Sequence, residues 1–243
     1  MILFISDLHL HPSRPAITEL FHGFAAGPAG SAEALYILGD LFDHWAGDDD
    51  CAEPANAKVC TALRRLGERG TAVYFMSGNR DLLVDRGFAA ASGATLIDEP
   101  QVVDIAGSDT LLLHGDILCT DDTEYQRYRA TVRDPLFRQS FLAKPLTERK
   151  AFIGGLRERS ESEKRTKAAE IMDVNADAIA AAFRRHGVAR MIHGHTHRQA
   201  RHVHTVDGRP CERWVLGDWR DDVGNYLECM SGGWSFRSWH GKA

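Results

Sequence analysis

Short apolar runs alternate with stretches of helical periodicity through the first half of the chain. Ile2–Ser6, Leu35–Leu38, Ala72–Met76, Leu111–His114 and Arg190–His193 are compact apolar runs, most of them closed by Gly, Asp or Ser, and each predicts a strand. Between them, Pro15–Ala26, Pro54–Arg69 and Ala176–His186 repeat apolar positions at helical spacing. The prolines opening the first two fit the first helical turn, where a missing N–H costs nothing. Strand–helix alternation of this kind is the rhythm of an α/β sandwich. After Gly194 the pattern turns to short β segments at His202–Val206, Arg213–Leu216, Tyr226–Cys229 and Trp234–Trp239, with turn residues such as Asp207-Gly208 between them. These predict an antiparallel C-terminal sheet. No repeat or low-complexity linker divides the chain, so residues 1–243 read as one domain.

One segment breaks the rhythm. From Ile117 to Met172 no run predicts a strand, and helix formers carry repeated charges. Between Lys144 and Lys167 eight basic residues (Lys144, Arg149, Lys150, Arg157, Arg159, Lys164, Arg165, Lys167) face four acidic ones (Glu148, Glu158, Glu161, Glu163). The segment predicts a helical cap, residues 117–172, inserted into the α/β core.

Composition narrows the function classes. With 243 residues, 44% of them hydrophobic, the chain supports a sizeable core. Its 29 Lys and Arg against 34 Asp and Glu give a net charge of -5, so no basic field points to a nucleic-acid partner. No apolar run approaches the roughly 20 residues needed to span a bilayer. Met1 leads straight into Ile2-Leu3-Phe4-Ile5 without a basic region or cleavage site, so a protein kept in the cytosol is expected. The five cysteines are scattered, which argues against a disulfide framework or a zinc knuckle. Nothing in the pattern indicates a protein partner.

The 12 histidines are more telling. Five clusters each follow a predicted strand: Asp7-Leu8-His9, Gly39-Asp40-Leu41-Phe42-Asp43, Gly78-Asn79-Arg80-Asp81, His114-Gly115-Asp116 and Gly194-His195-Thr196-His197. Strand ends of an open α/β sheet converge on one rim, where ligands sit. Carboxylates, an amide oxygen and imidazoles suit borderline divalent ions such as Mn²⁺, Fe²⁺ or Zn²⁺. Each piece alone is an ordinary turn. All five at strand ends are not.

In this order the clusters resemble the calcineurin-like metallophosphoesterases, and the resemblance implies a two-sheet sandwich flanked by helices around a dinuclear metal site. It implies that Asp7, His9, Asp40 and His197 hold one ion and Asp40, Asn79, His114 and His195 the other, with Asp40 shared. The superfamily commonly has His after Gly-Asn; here Arg80 stands there. Arginine stays charged, so it cannot be a general acid, but it can fork onto phosphate oxygens.

Longer strings resemble a narrower family. Gly39-Asp40-Leu41-Phe42-Asp43 with Trp45 and Gly47-Asp48-Asp49-Asp50, Gly78-Asn79-Arg80-Asp81, His114 through Asp122, Ile171-Met172-Asp173-Val174-Asn175 and His193 through Arg198 are similar to the UDP-2,3-diacylglucosamine diphosphatases of lipid A synthesis. The likeness runs to about Trp219. It implies hydrolysis to UMP and 2,3-diacylglucosamine 1-phosphate with Mn²⁺, on a lipid-linked substrate at the anionic cytoplasmic face of the inner membrane. It places Asp40, Arg80 and His195 at the reaction and Asn79, Arg80, Asp122, Ser160, Lys164, Lys167 and His195 at the substrate. Two positions depart from the pattern: Asp43 stands where Glu is usual, and Lys164 where Asn can occur. Leu82, Leu83, Phe137, Phe141, Leu142, Phe152, Ile153, Leu156, Ile171 and Met172 are candidates for an acyl groove. The rivals are a soluble phosphatase or phosphodiesterase of the superfamily acting on nucleotides or phosphoproteins, and a non-catalytic scaffold. A scaffold would be free to lose ligands, and all seven are present.

Overall fold

The computed structural model describes residues 1–164 and 173–241, with the backbone alone over 157–164. Two sheets face each other. The first contains β1 (Ile2–Ile5), β2 (Ala34–Leu38), β3 (Ala72–Met76), β4 (Thr95–Leu96), β10 (Gly224–Met230) and β11 (Gly233–Trp239), in the order β11-β10-β1-β2-β3-β4. The second contains β5 (Gln101–Asp104), β6 (Asp109–Leu112), β7 (Arg190–His193), β8 (Ala200–Val206) and β9 (Arg209–Val215), in the order β5-β6-β7-β9-β8. β1 to β4 run parallel, as do β6 and β7, so each set sends its carboxyl ends to one rim.

The strands read as continuous apolar runs because both faces are buried. Phe4, Tyr36, Leu38 and Met76 point between the sheets and meet Leu112, Ile192 and Trp214. Leu3, Ile5, Leu35, Ile37 and Phe75 point the other way, onto a core shared with α1 (Pro15–Ala26) and α2 (Pro54–Glu68). Leu111 and Met191 likewise meet Ile179 and Phe183 of α7 (Ala176–His186). Side-chain alternation along each strand thus builds helix, sheet, sheet and helix layers.

Three elements escape the sequence pattern. β4 has two residues, α3 (Arg86–Ser92) seven, and β5 ends on polar positions, so none carries a readable period. The C-terminal segments also differ from expectation: they form two hairpins on different sheets. β9 pairs parallel to β7 while β10 pairs antiparallel to β1, which extends each sheet instead of building a new one.

Three helices, α4 (Thr123–Arg133), α5 (Pro135–Leu142) and α6 (Leu146–Lys164), occupy the strandless segment. α6 is pinned to the acidic loop after Trp45. The Arg149 guanidinium meets the Asp49 carboxylate and the Ala46 carbonyl, and Lys150 Nζ lies 2.6 Å from Asp50 Oδ1. Two of the surplus bases are therefore turned inward. Phe141 is only 6% exposed and packs into the first core, whereas Phe152 is 47% and Leu136 75% exposed. Phe141 is thus a packing residue, not an open groove wall.

Candidate metal centre

Each cluster sits just past a strand. Asp7 and His9 follow β1, Asp40 follows β2, Asn79 follows β3, His114 follows β6, and His195 and His197 follow β7. Asp7, His9, Asp40, His195 and His197 all have left-handed backbones, with φ between 51° and 67°. Such φ is uncommon outside glycine, though Asp and His tolerate it best, and it costs about 1–3 kcal/mol per residue. Strain concentrated on five candidate donors is the mark of a functional loop set. Glycine permits the crowding: a Cβ on Gly39 would stand 2.6 Å from the Gly78 backbone and from His114 Nδ1, and one on Gly194 would strike Asp7.

The donors converge in two groups. Asp7, His9 and His197 present ligand atoms within 4.8 Å of one another, and so do Asp7, Asp40 and His114. Asn79 Oδ1 joins the second group, 3.0 Å from His114 Nε2 and 3.1 Å from His195 Nδ1. Asp40 faces both: Oδ1 is 3.7 Å from His114 Nε2, and Oδ2 is 3.9 Å from His9 Nδ1.

The donor set fits divalent ions. Asp7 Oδ1 and His9 Nδ1 are buried and take no hydrogen bond within the described residues, an expensive arrangement for polar atoms unless a cation meets them. His114 Nδ1–H donates to the Leu38 carbonyl at 2.9 Å, which turns Nε2 toward Asn79 Oδ1 and Asp40 Oδ1, where it carries a proton that a cation would displace. Fixing one ring nitrogen in this way is how proteins orient a metal-ligating histidine. Burial pushes His9 and His195 down to about 4, keeping them in the neutral form that ions require. His114 goes the other way: burial opposes it, but the carboxylates of Asp40, Asp7, Asp116 and Glu99 hold it up at about 9.

Asp81 keys the two loops together. Its Oδ1 accepts from Gly78 N at 2.7 Å and Asp40 N at 3.2 Å, and its Oδ2 from Leu41 N at 2.8 Å and Phe42 N at 3.4 Å. Asp81→Ala leaves these buried amides unsatisfied, so we expect about 3–5 kcal/mol of lost stability in urea unfolding. Asp81→Asn, which offers a donor where donors already point, should recover less than half. Full stability of the alanine variant would contradict this role.

A model of the calcineurin-like phosphoesterase family matches residues 1–199. Proteins named UDP-2,3-diacylglucosamine hydrolase are similar over nearly the whole length. The one from Aromatoleum aromaticum is 54% identical over 91% of this chain and 90% of its own. Those from Cellvibrio japonicus and Stenotrophomonas maltophilia are each 48% identical, over 98% and 96% of both chains respectively. The chain belongs to the calcineurin-like phosphoesterases, in the UDP-2,3-diacylglucosamine hydrolase family.

In this phosphoesterase the seven candidate ligands gather at one rim, and Arg80 stands beside them. Its Nη1 is 3.3 Å from Asp43 Oδ1 and its Nε 3.9 Å from Asp40 Oδ2. Asp122 caps α4, accepting from Tyr125 N at 3.1 Å. Lys167, Ile171 and Met172, and the side chains of Ser160 and Lys164, lie outside the described residues. No helix among the described residues is long and apolar enough to cross a membrane.

A buried network bordering the site joins Asp116 of the fourth cluster to Glu99, Tyr125 and Arg129, which the sequence pattern did not mark. Arg129 bridges Asp116 Oδ2 at 2.9 Å and Glu99 Oε2 at 2.8 Å, while Tyr125 donates to Asp116 Oδ2 at 2.7 Å. Glu99 Oε1 in turn accepts from His114 N at 2.8 Å. Tyr125, Arg129 and Arg133 recur every four residues, a one-face spacing that could have revealed the helix side turned to the rim. Glu99, in a loop, carried no such signal.

Under the metal loops, His193 Nδ1–H donates to the Gly194 carbonyl and Nε2 accepts from Arg213 at 3.0 Å. Burial, reinforced by Arg213, pushes its pKa from 6.5 down to about 3. The unfolded ring therefore binds a proton at higher pH than the folded one. This contribution to stability is complete above about pH 6.5 and is lost as pH falls toward 3. Between pH 7.5 and 5 the wild type should lose about 2 kcal/mol more than His193→Gln in urea unfolding. Equal losses would show that the ring charges freely in the fold.

Proposed function

We propose that the chain hydrolyses the diphosphate of UDP-2,3-diacylglucosamine to UMP and 2,3-diacylglucosamine 1-phosphate, a step of lipid A biosynthesis, with two Mn²⁺ ions at the cytoplasmic face of the inner membrane. The observation that carries this reading is the near-full-length likeness to hydrolases named for that substrate. Asp7, His9, Asp40 and His197 would hold one ion and Asp40, Asn79, His114 and His195 the other. When bound, two such ions polarise the phosphoryl group and lower the pKa of an attacking water.

The chain's own residues do the rest. Arg80 sets a planar, permanently charged fork at the mouth of the site, suited to the oxygens of a diphosphate. Replacement of the commoner histidine by arginine makes chemical sense here. The leaving group is a phosphate monoester whose second pKa is about 6, so it departs as an anion and needs charge stabilisation more than a proton. Neutral His195 and the Asn79 amide, 3.1 Å apart, would orient the phosphoryl oxygens beside it.

The helices α4, α5 and α6 act as the cap that receives the acyl chains. The outward apolar side chains of Leu136, Leu142 and Phe152 support this reading, because a water-soluble nucleotide would need none of them. Phe152→Asp should therefore cut turnover of the diacylated substrate about tenfold or more, at about 0.8 kcal/mol per desolvated CH₂, and leave a small generic phosphodiester near wild type. Phe152 is half exposed, so the melting temperature should barely move. Equal loss on both substrates would place the effect outside lipid binding.

A further inference from the structure

Beside the two donor groups of the candidate metal centre stands a third group of side chains able to ligate a metal, none of them among the seven candidate ligands. We propose that His11, Asp43 and His44 form a third divalent-cation site, with a preference for Zn²⁺ or a similarly borderline ion.

One donor atom from each of the three lies within 4.8 Å of the others. His44 Nδ1 is 3.6 Å from Asp43 Oδ2, and the His11 and His44 rings are 5.1 Å apart, inclined at 50°. Two imidazoles and one carboxylate form a mixed N/O set that favours Zn²⁺ over Mg²⁺ or Ca²⁺, which take oxygen ligands. Three protein ligands leave coordination positions for water.

The arrangement is built into paired backbone. Leu10 N donates to Leu41 O at 2.9 Å, Asp43 N donates to Leu10 O at 3.1 Å, and Leu10 bridges Phe42. His11 and the pair Asp43-His44 therefore emerge side by side from two stitched strand extensions, which is the rigidity a preorganised site requires. Ser13 lies against His11 Nδ1, its N–H at 3.2 Å and its Oγ at 2.6 Å; with Nδ1–H donating to that Oγ, Nε2 is left for an ion. His11 and His44 are half-buried at the surface while Asp43 is buried beneath them, so an ion can enter from solvent. Asp43 divides its oxygens: Oδ2 faces His44, and Oδ1 faces Arg80 Nη1 at 3.3 Å. An ion on the histidine side leaves the Arg80 contact in place.

The test is metal content after equilibrium dialysis of the chelator-stripped protein against excess Zn²⁺. The double variant His11→Gln/His44→Gln should retain one equivalent fewer than the wild type, whereas His240→Gln, an exposed control, should lose none. Each single variant should also lose that equivalent, so the reading survives a poorly folding double variant. In chelator the double variant should melt with the wild type, and added Zn²⁺ should raise its melting temperature less. Equal Zn²⁺ content in wild type and the single and double variants would overturn the proposal.

Discussion

Asp40→Asn should lose about three orders of magnitude in kcat/KM, roughly 4 kcal/mol of transition-state stabilisation, while Asn79→Ala should lose about tenfold to a hundredfold. The difference follows from where the atoms point. Asp40 Oδ1 accepts from Arg80 N at 2.9 Å and faces His114; Oδ2 faces His9. A single carboxylate thus serves both donor groups and anchors the arginine loop. An amide there removes the charge between two positive centres and puts a donor where acceptors are required. Asn79 contributes one neutral oxygen to one group, so its loss is shallower. Metal content measured on the same preparations should fall with activity in Asp40→Asn. Full activity of the metal-stripped wild type would end the two-ion account.

Arg80→Ala should reduce kcat/KM about a hundredfold to a thousandfold with metal content unchanged, because the guanidinium contacts Asp40 and Asp43 but is not itself a ligand. Arg80→Lys should recover little. A point charge on a flexible stem cannot make two parallel hydrogen bonds, and it cannot keep Asp43 engaged at the same time. Lysine activity equal to wild type would show that charge alone matters at this position. Loss of metal in the alanine variant would instead make Arg80 a structural part of the metal loops.

Much of this site was legible before the fold was known. The five clusters stood out because each follows an apolar run that predicts a strand, and in the structure they lie past strand ends, with left-handed φ at Asp7, His9, Asp40, His195 and His197. The long strands were readable because burial on two faces leaves unbroken apolar runs. Short elements such as β4 and α3 were not, since two or seven residues hold no period. The split of the C-terminal hairpins between two sheets was equally hidden, because partner choice is non-local. Phe141 shows the limit of periodicity in the other direction. Its spacing with Phe137 suits a groove as well as a core, and only its burial against the first core decides between them.

The same limit applies to charge. Arg149 and Lys150 count among the eight basic residues of the cap segment, yet they close on Asp49 and Asp50. Sequence shows where charges are, not which partner folding brings to them.

The central claim is tested most directly by offering the purified protein UDP-2,3-diacylglucosamine and UDP-N-acetylglucosamine side by side, with UMP release as the readout, in Mn²⁺ and in chelator. The account predicts UMP from the diacylated substrate in Mn²⁺, little from the unacylated one, and none from either in chelator. Equal turnover of both substrates, or none of the diacylated one with Mn²⁺ present, would contradict it.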